Sequence, residues 1–148
     1  MQTPPAFDLT SRASFRHWTP VTIRFCDTDM AGHVNNCAYA TYFEAARVAL
    51  IDLLFERDRK AKPTFNTVVA RLLIDYKREL HYPGTVEVGA RLIRLGSKSF
   101  ATGYGCFIGE TCVATCESVN VCFDTASRSS IQTPDAFRKR LEAELAAI

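Results

Sequence analysis

Apolar and polar residues alternate along this chain in two rhythms. From Trp18 to Cys26 they alternate singly, with Val21, Ile23 and Phe25 on one face and Thr22 and Arg24 on the other. That is the period of a half-buried strand. A polar, turn-like run follows from Asp27 to Val34. The rhythm then lengthens: Tyr39, Phe43, Ala46, Leu50 and Leu53 recur at spacings of three and four, which draws one apolar stripe along a helix. Asn35 is placed to cap it, and Val34 and Tyr39 sit where a hydrophobic staple would close over the cap. The pattern predicts a helix to about Arg57, some 20 residues or ~30 Å long, ended by the charged run Glu56 to Lys62 and by Pro63.

Beyond Pro63 the single alternation returns. Thr67–Tyr76, Thr85–Leu95, Ser99–Ile108 and Thr111–Phe123 read as strands. The breaks between them are His81-Tyr82-Pro83-Gly84, Gly96-Ser97-Lys98 and Gly109-Glu110. Pro134 to Ala147 closes the chain as an amphipathic helix with Phe137, Leu141 and Leu145 on one side. Strands joined by tight turns pair antiparallel, and a long apolar helix must be covered by a sheet. The expected architecture is α+β, a curved sheet around a central helix. The Thr111–Phe123 strand is apolar on both faces, with Val113, Val119 and Val121 on one and Ala114, Cys112, Cys116 and Cys122 on the other. Such a strand needs a second cover, and another subunit is the simplest one.

A length of 148 residues allows one domain. Residues 1–14 show little periodicity and are expected to form a flexible N-terminal arm, with the single domain spanning 15–148. A net charge of +2, without any dense basic block, argues against a nucleic-acid partner. No apolar run reaches the ~18 residues of a membrane span, and Met1 to Ser14 lacks the make-up of a secretory signal, so a cytoplasmic location is expected. None of the six cysteines forms a C-x-x-C pair. They are read as reduced, small core residues. No phosphate-cradling glycine loop or metal-ligand pattern is present, so neither cofactor nor metal is expected.

The chemistry concentrates in Arg24–Tyr39. Asp29 and His33 lie four residues apart in a polar loop that leads straight into a helix N-terminus. The first turn, Asn36-Cys37-Ala38-Tyr39, contains no acidic residue, and Glu44 is the first in the helix. Acidic residues there usually satisfy the free N–H groups. Left open, those donors suit a developing oxyanion. A carboxylate, an imidazole and an anion-stabilising helix end are suited to acyl-group hydrolysis, although a polar loop before an N-capped helix is also a common structural device.

The segment resembles the signature of the 4-hydroxybenzoyl-CoA thioesterase-like branch of the hotdog superfamily. The matching residues are Asp27, Asp29, Gly32, His33, Val34, Asn35, Asn36, Tyr39, Tyr42, Phe43, Glu44, Ala46 and Arg47. Weaker similarity continues through Ile74-Asp75-Tyr76, Gly96 to Phe100, Val121 to Asp124 and Pro134. The resemblance implies a hotdog fold with a five-stranded antiparallel sheet wrapped around the long helix. It also implies a homodimer or homotetramer with active sites at the interface, and an acyl-CoA substrate. Asp29 matches the catalytic carboxylate, as general base or as nucleophile. The backbone N–H near Asn36 matches the oxyanion donor.

Around these, several roles stay open. His33 either holds the loop or polarises the thioester carbonyl. Asn35 caps the helix or contacts substrate. Asp27 forms an Asx turn in the loop. Glu44 and Arg47 form a helix-surface pair, and Tyr39, Tyr42 and Phe43 belong to the core. Lys77, Arg78 and Lys98 are candidates to meet coenzyme A phosphates, and Ser99 to reach the site from a partner subunit. Other readings are a hotdog enoyl-thioester hydratase or dehydratase, an acyl-carrier-protein thioesterase, and a non-catalytic acyl-CoA binder, the last disfavoured by Asp29.

Overall fold

The order of elements follows the two rhythms closely. The computed structural model describes residues 7–55 and 64–147. It contains strand β1 (His17–Thr22), helix α1 (Asn36–Phe55), strands β2 (Phe65–Tyr76), β3 (Thr85–Leu95), β4 (Ser99–Ile108) and β5 (Thr111–Asp124), and helix α2 (Asp135–Ala146). The continuation of α1 toward Arg57 and its ending at Pro63 lie outside the described residues. All strand pairs are antiparallel, in the order β1-β3-β4-β5-β2. This is the hotdog arrangement.

Helix α1 lies in the concave face. Tyr39, Tyr42, Phe43, Ala46, Leu50, Ile51 and Leu54 are buried, against Val86, Val88, Leu92, Phe100 and Tyr104 of the sheet. The stripe ends on Leu54 rather than on the expected Leu53, which is 57% exposed. Measured from Leu50 at ~100° per residue, Leu54 lies ~40° round the helix on the side of the buried Ile51, whereas Leu53 lies ~60° off on the other side. Helix α2 adds Phe137, which stacks on Phe55 with centroids 4.1 Å apart.

The first strand is shorter than its alternation suggests. After Thr22 the chain turns through a 3-10 segment at Phe25–Asp27, and Phe25, expected inside, is 74% exposed. The cause is Asp27. Its buried carboxylate accepts the Arg24 N–H at 2.8 Å and the Arg24 guanidinium at 2.9 Å. These local bonds offer the backbone an alternative to the ladder.

Residues 7–14, expected to be part of a flexible arm, pack on the outer face of the sheet; residues 1–6 lie outside the described residues. Phe15 lies over Gly89 and Gly105, where a Cβ would stand 2.5 Å and 2.9 Å from its ring, and Leu9 covers Gly103 in the same way. Arg12 pairs with Glu87 at 2.8 Å and stacks over Trp18 at 4.2 Å. The chain's own N-terminal segment therefore covers part of the outer face over β3 and β4, beside the Thr111–Phe123 strand for which a second subunit is the expected cover. Over the edge strand β2 no such cover is found among the described residues: Val68, Val69, Leu72, Leu73 and Tyr76 are all exposed.

Cys106, Cys116 and Cys122 are buried as expected, and burial pushes the thiols of Cys106 and Cys116 up to about 12. Cys26 and Cys37 are exposed and belong to no core.

Candidate functional site

The loop between β1 and α1 folds back on itself. Thr28 and Val34 form an antiparallel bridge, and Asn35 N–H donates to the Asp27 carbonyl at 2.8 Å. Between them Asp29 to Gly32 make a turn. Asp29 N–H donates to the His33 carbonyl at 3.2 Å, and Gly32 N–H to the Asp29 carbonyl at 3.1 Å. Gly32 has φ +85°, a conformation that costs a side-chain-bearing residue energy. The Asx turn expected at Asp27 is found at Asp29, whose Oδ1 accepts the Ala31 N–H at 2.8 Å.

Asp27 instead forms the buried floor beneath the loop. The Tyr42 hydroxyl donates to its Oδ2 at 2.6 Å, alongside the two Arg24 contacts. Burial alone would raise its pKa, but these three donors outweigh burial and hold it below the ordinary carboxylate value. Burial and the same bond push the Tyr42 hydroxyl up.

Asn35 does more than the cap assigned to it. Its Oδ1 accepts the Cys37 N–H at 2.8 Å, the cap bond itself. That contact fixes the orientation of the amide, and its Nδ2 donates to Asp29 Oδ2 at 3.2 Å. One side chain thus ties the helix end to the carboxylate. With one bond on each oxygen, the Asp29 carboxylate keeps lone pairs free, since it has about four acceptor positions.

The first turn of α1 has no acidic residue. The Asn36 N–H, at the first helical position, has no acceptor among the described residues. Asp29, His33, Val34, Asn36, Tyr39, Tyr76, Lys77, Arg78 and Glu79 line one cleft of about 370 Å³. It brings together the expected Asp29, His33 and Asn36, as well as Lys77 and Arg78. Tyr39 belongs to both core and cleft wall; it is 3% exposed, and burial pushes its hydroxyl up to about 12. Glu44 and Arg47 form their pair at 3.3 Å.

Lys98 and Ser99 are not brought there within one chain. Ser99 pairs with Val121, whereas Tyr76 at the cleft pairs with Ala114. The two places are roughly 23 Å apart along β5, at ~3.3 Å per residue.

The sequence did not point to Tyr76, Glu79 or His81 as parts of the site. The Tyr76 hydroxyl donates to the Asn36 carbonyl at 2.9 Å, and its ring stands edge-on to Tyr39 at 5.2 Å. Tyr76 and His81 lie 40 and 49 positions beyond their partners Asn36 and Gly32, and no local pattern announces such contacts. Among the described residues no group of three or more His, Cys, Asp or Glu is placed to hold a metal. No described helix is long and apolar enough to cross a membrane.

The chain thus folds as a single sheet around one helix, with a carboxylate and a helix N-terminus lining one cleft. The chain belongs to the thioesterase-like superfamily, a class of thioester hydrolases, whose family profile matches residues 23–141. Solved structures agree. A thioesterase from Thermus thermophilus, solved with coenzyme A and Zn, is 29% identical with a TM-score of 0.77, covering 90% of this chain and 97% of that one. The PA5185 protein of Pseudomonas aeruginosa PAO1 is 26% identical with a TM-score of 0.80, covering 90% and 94%. A predicted thioesterase from Bacillus stearothermophilus is 26% identical with a TM-score of 0.77, covering 86% and 94%. The uncharacterized protein YsmA of Bacillus subtilis is 32% identical over 93 residues, 63% of this chain. The match spans 62% of YsmA's length.

Proposed function

We propose that this protein is a cytoplasmic acyl-CoA thioesterase, with Asp29 as general base or nucleophile and the Asn36 N–H as oxyanion donor. One observation carries the reading: an N–H without an acceptor among the described residues and an oriented carboxylate line the same cleft. A thioester carbonyl between them would meet a donor at its oxygen and an attacking group at its carbon. In the base route Asp29 takes a proton from water. The water oxygen bonds to the acyl carbon, negative charge collects on the carbonyl oxygen near the Asn36 N–H, and the C–S bond breaks. Coenzyme A leaves as thiolate and takes up a proton. In the nucleophile route an Asp29 oxygen bonds to that carbon as the C–S bond breaks and coenzyme A leaves as thiolate; water then hydrolyses the mixed anhydride, freeing the acid and the Asp29 carboxylate, and the proton released goes to the thiolate. Thiolate is a good leaving group, so neither route needs a strong general acid.

Coenzyme A as the thiol agrees with the ligand of the Thermus thermophilus thioesterase. Lys77 and Arg78 on the cleft wall supply cations for its phosphates. The same reading makes the active protein a homo-oligomer. Tyr76 ends β2, the apolar exposed edge, so the cleft opens beside the surface a second copy would cover. Lys98 and Ser99 then reach a site only from the partner.

Thiol release from a panel of acyl-CoAs tests the proposal, with Asp29→Asn and Asp29→Ala beside the parent. The Asn variant should lose about 10²-fold or more in kcat. An Asn variant as fast as the parent would remove Asp29 from the mechanism.

A further inference from the structure

Asp29 sits on a turn with little support of its own. Met30, Ala31 and Gly32 are exposed, and Gly32 holds a positive φ. Support comes from outside the loop, from residues 79–81 beyond β2. The Val34 N–H donates to the Leu80 carbonyl at 2.7 Å, and the Leu80 side chain is buried. The neighbouring His81 places its Nδ1 at 3.2 Å from the Gly32 carbonyl oxygen. A carbonyl oxygen only accepts, so that nitrogen carries the hydrogen. The other nitrogen, Nε2, is 3.4 Å from Glu79 Oε2, and the His81 ring stands edge-on to His33 at 6.1 Å.

We propose that His81 is a positioning residue for the thioester hydrolysis described above: its Nδ1–H fixes the Gly32 carbonyl and with it the turn that presents Asp29. The inference rests on that reading of the site. His81 itself does not line the cleft, so it acts through the loop and not on the substrate. Gly32 is then held on both sides, its N–H by the Asp29 carbonyl and its C=O by His81. A turn held this way keeps the carboxylate at a fixed place relative to the helix end, and small misplacements of a reacting group are costly in rate.

The geometry sets a selective test. In asparagine Nδ2 stands where His Nδ1 stands, one bond from Cγ, whereas the glutamine amide reaches one bond further. His81→Ala and His81→Gln should lower kcat roughly tenfold or more with KM within about twofold, and His81→Asn should restore most of the loss. Amide hydrogen exchange gives a readout independent of catalysis. The Ala31 and Gly32 amides should exchange faster in the Ala and Gln variants and return toward the parent in the Asn variant. An Ala variant with parental kcat and exchange, or an Asn variant no better than Gln, would overturn the assignment. If the parent cleaves no acyl-CoA, the hydrolase reading fails, and the exchange series still decides whether His81 holds the loop.

Discussion

Asn35 is the residue on which two kinds of order converge. Its Oδ1 caps α1 and its Nδ2 holds Asp29. These duties separate by substitution. Asn35→Asp keeps the capping oxygen, loses the donor and sets a second carboxylate against Asp29. Thermal unfolding should change little, while kcat should fall about tenfold or more. Asn35→Ala removes both and should also cost ~1 kcal/mol of stability. Asp27 is the structural counterpart. Asp27→Asn weakens bonds from the buried Tyr42 hydroxyl and from Arg24, and urea unfolding should show a loss of ~1–3 kcal/mol. The sign of its pH effect follows from its lowered folded value. The contribution is complete above the unfolded pKa of ~3.9 and is lost as pH falls through the lower folded value. The parent should therefore lose stability through that acid window, and the Asn variant should lack this component of the pH dependence.

Among the elements, the strands from β3 to β5 follow from alternation and turn residues, because a sheet with one buried face writes itself as period two. The N-terminal segment did not show itself that way. Leu9 and Phe15 have no period, and their partners are absences: Gly89, Gly103 and Gly105 leave a flat surface for them. Only strand register aligns those glycines, since Gly89 pairs with Gly105. Two substitutions test the packing from opposite sides. Phe15→Ala should destabilise by ~3–5 kcal/mol in chemical unfolding. Gly89→Val pushes branched carbons into the Phe15 ring and should destabilise by at least ~1–3 kcal/mol. Tolerance of both would mean that the outer face does not depend on this segment.

For the molecule as a unit, β2 is the decisive feature. It is a long edge strand with apolar residues of both faces exposed, a surface that proteins usually pair or cover. If the proposed oligomer forms there, Leu73→Glu should shift sedimentation toward monomer and abolish thioester cleavage. Its circular dichroism should stay that of the parent. A variant that sediments and cleaves like the parent would place the interface elsewhere.

The order of elements, the helix that carries the core, the antiparallel sheet and the positions of Asp29, His33 and Asn36 around a helix start could all be read from the chain alone. These are local matters: periodicity, caps and turns act over a few residues, and the motif lies within one such stretch. The rest came from long-range packing. It turned Asp27 into a buried anchor, made Asn35 a link between cap and carboxylate, folded the N-terminal segment over three glycines, and brought Tyr76, Glu79 and His81 to a loop about 40 residues earlier. Such contacts depend on which strands become neighbours and in what register, and neither is encoded in the short-range spacing of residue types.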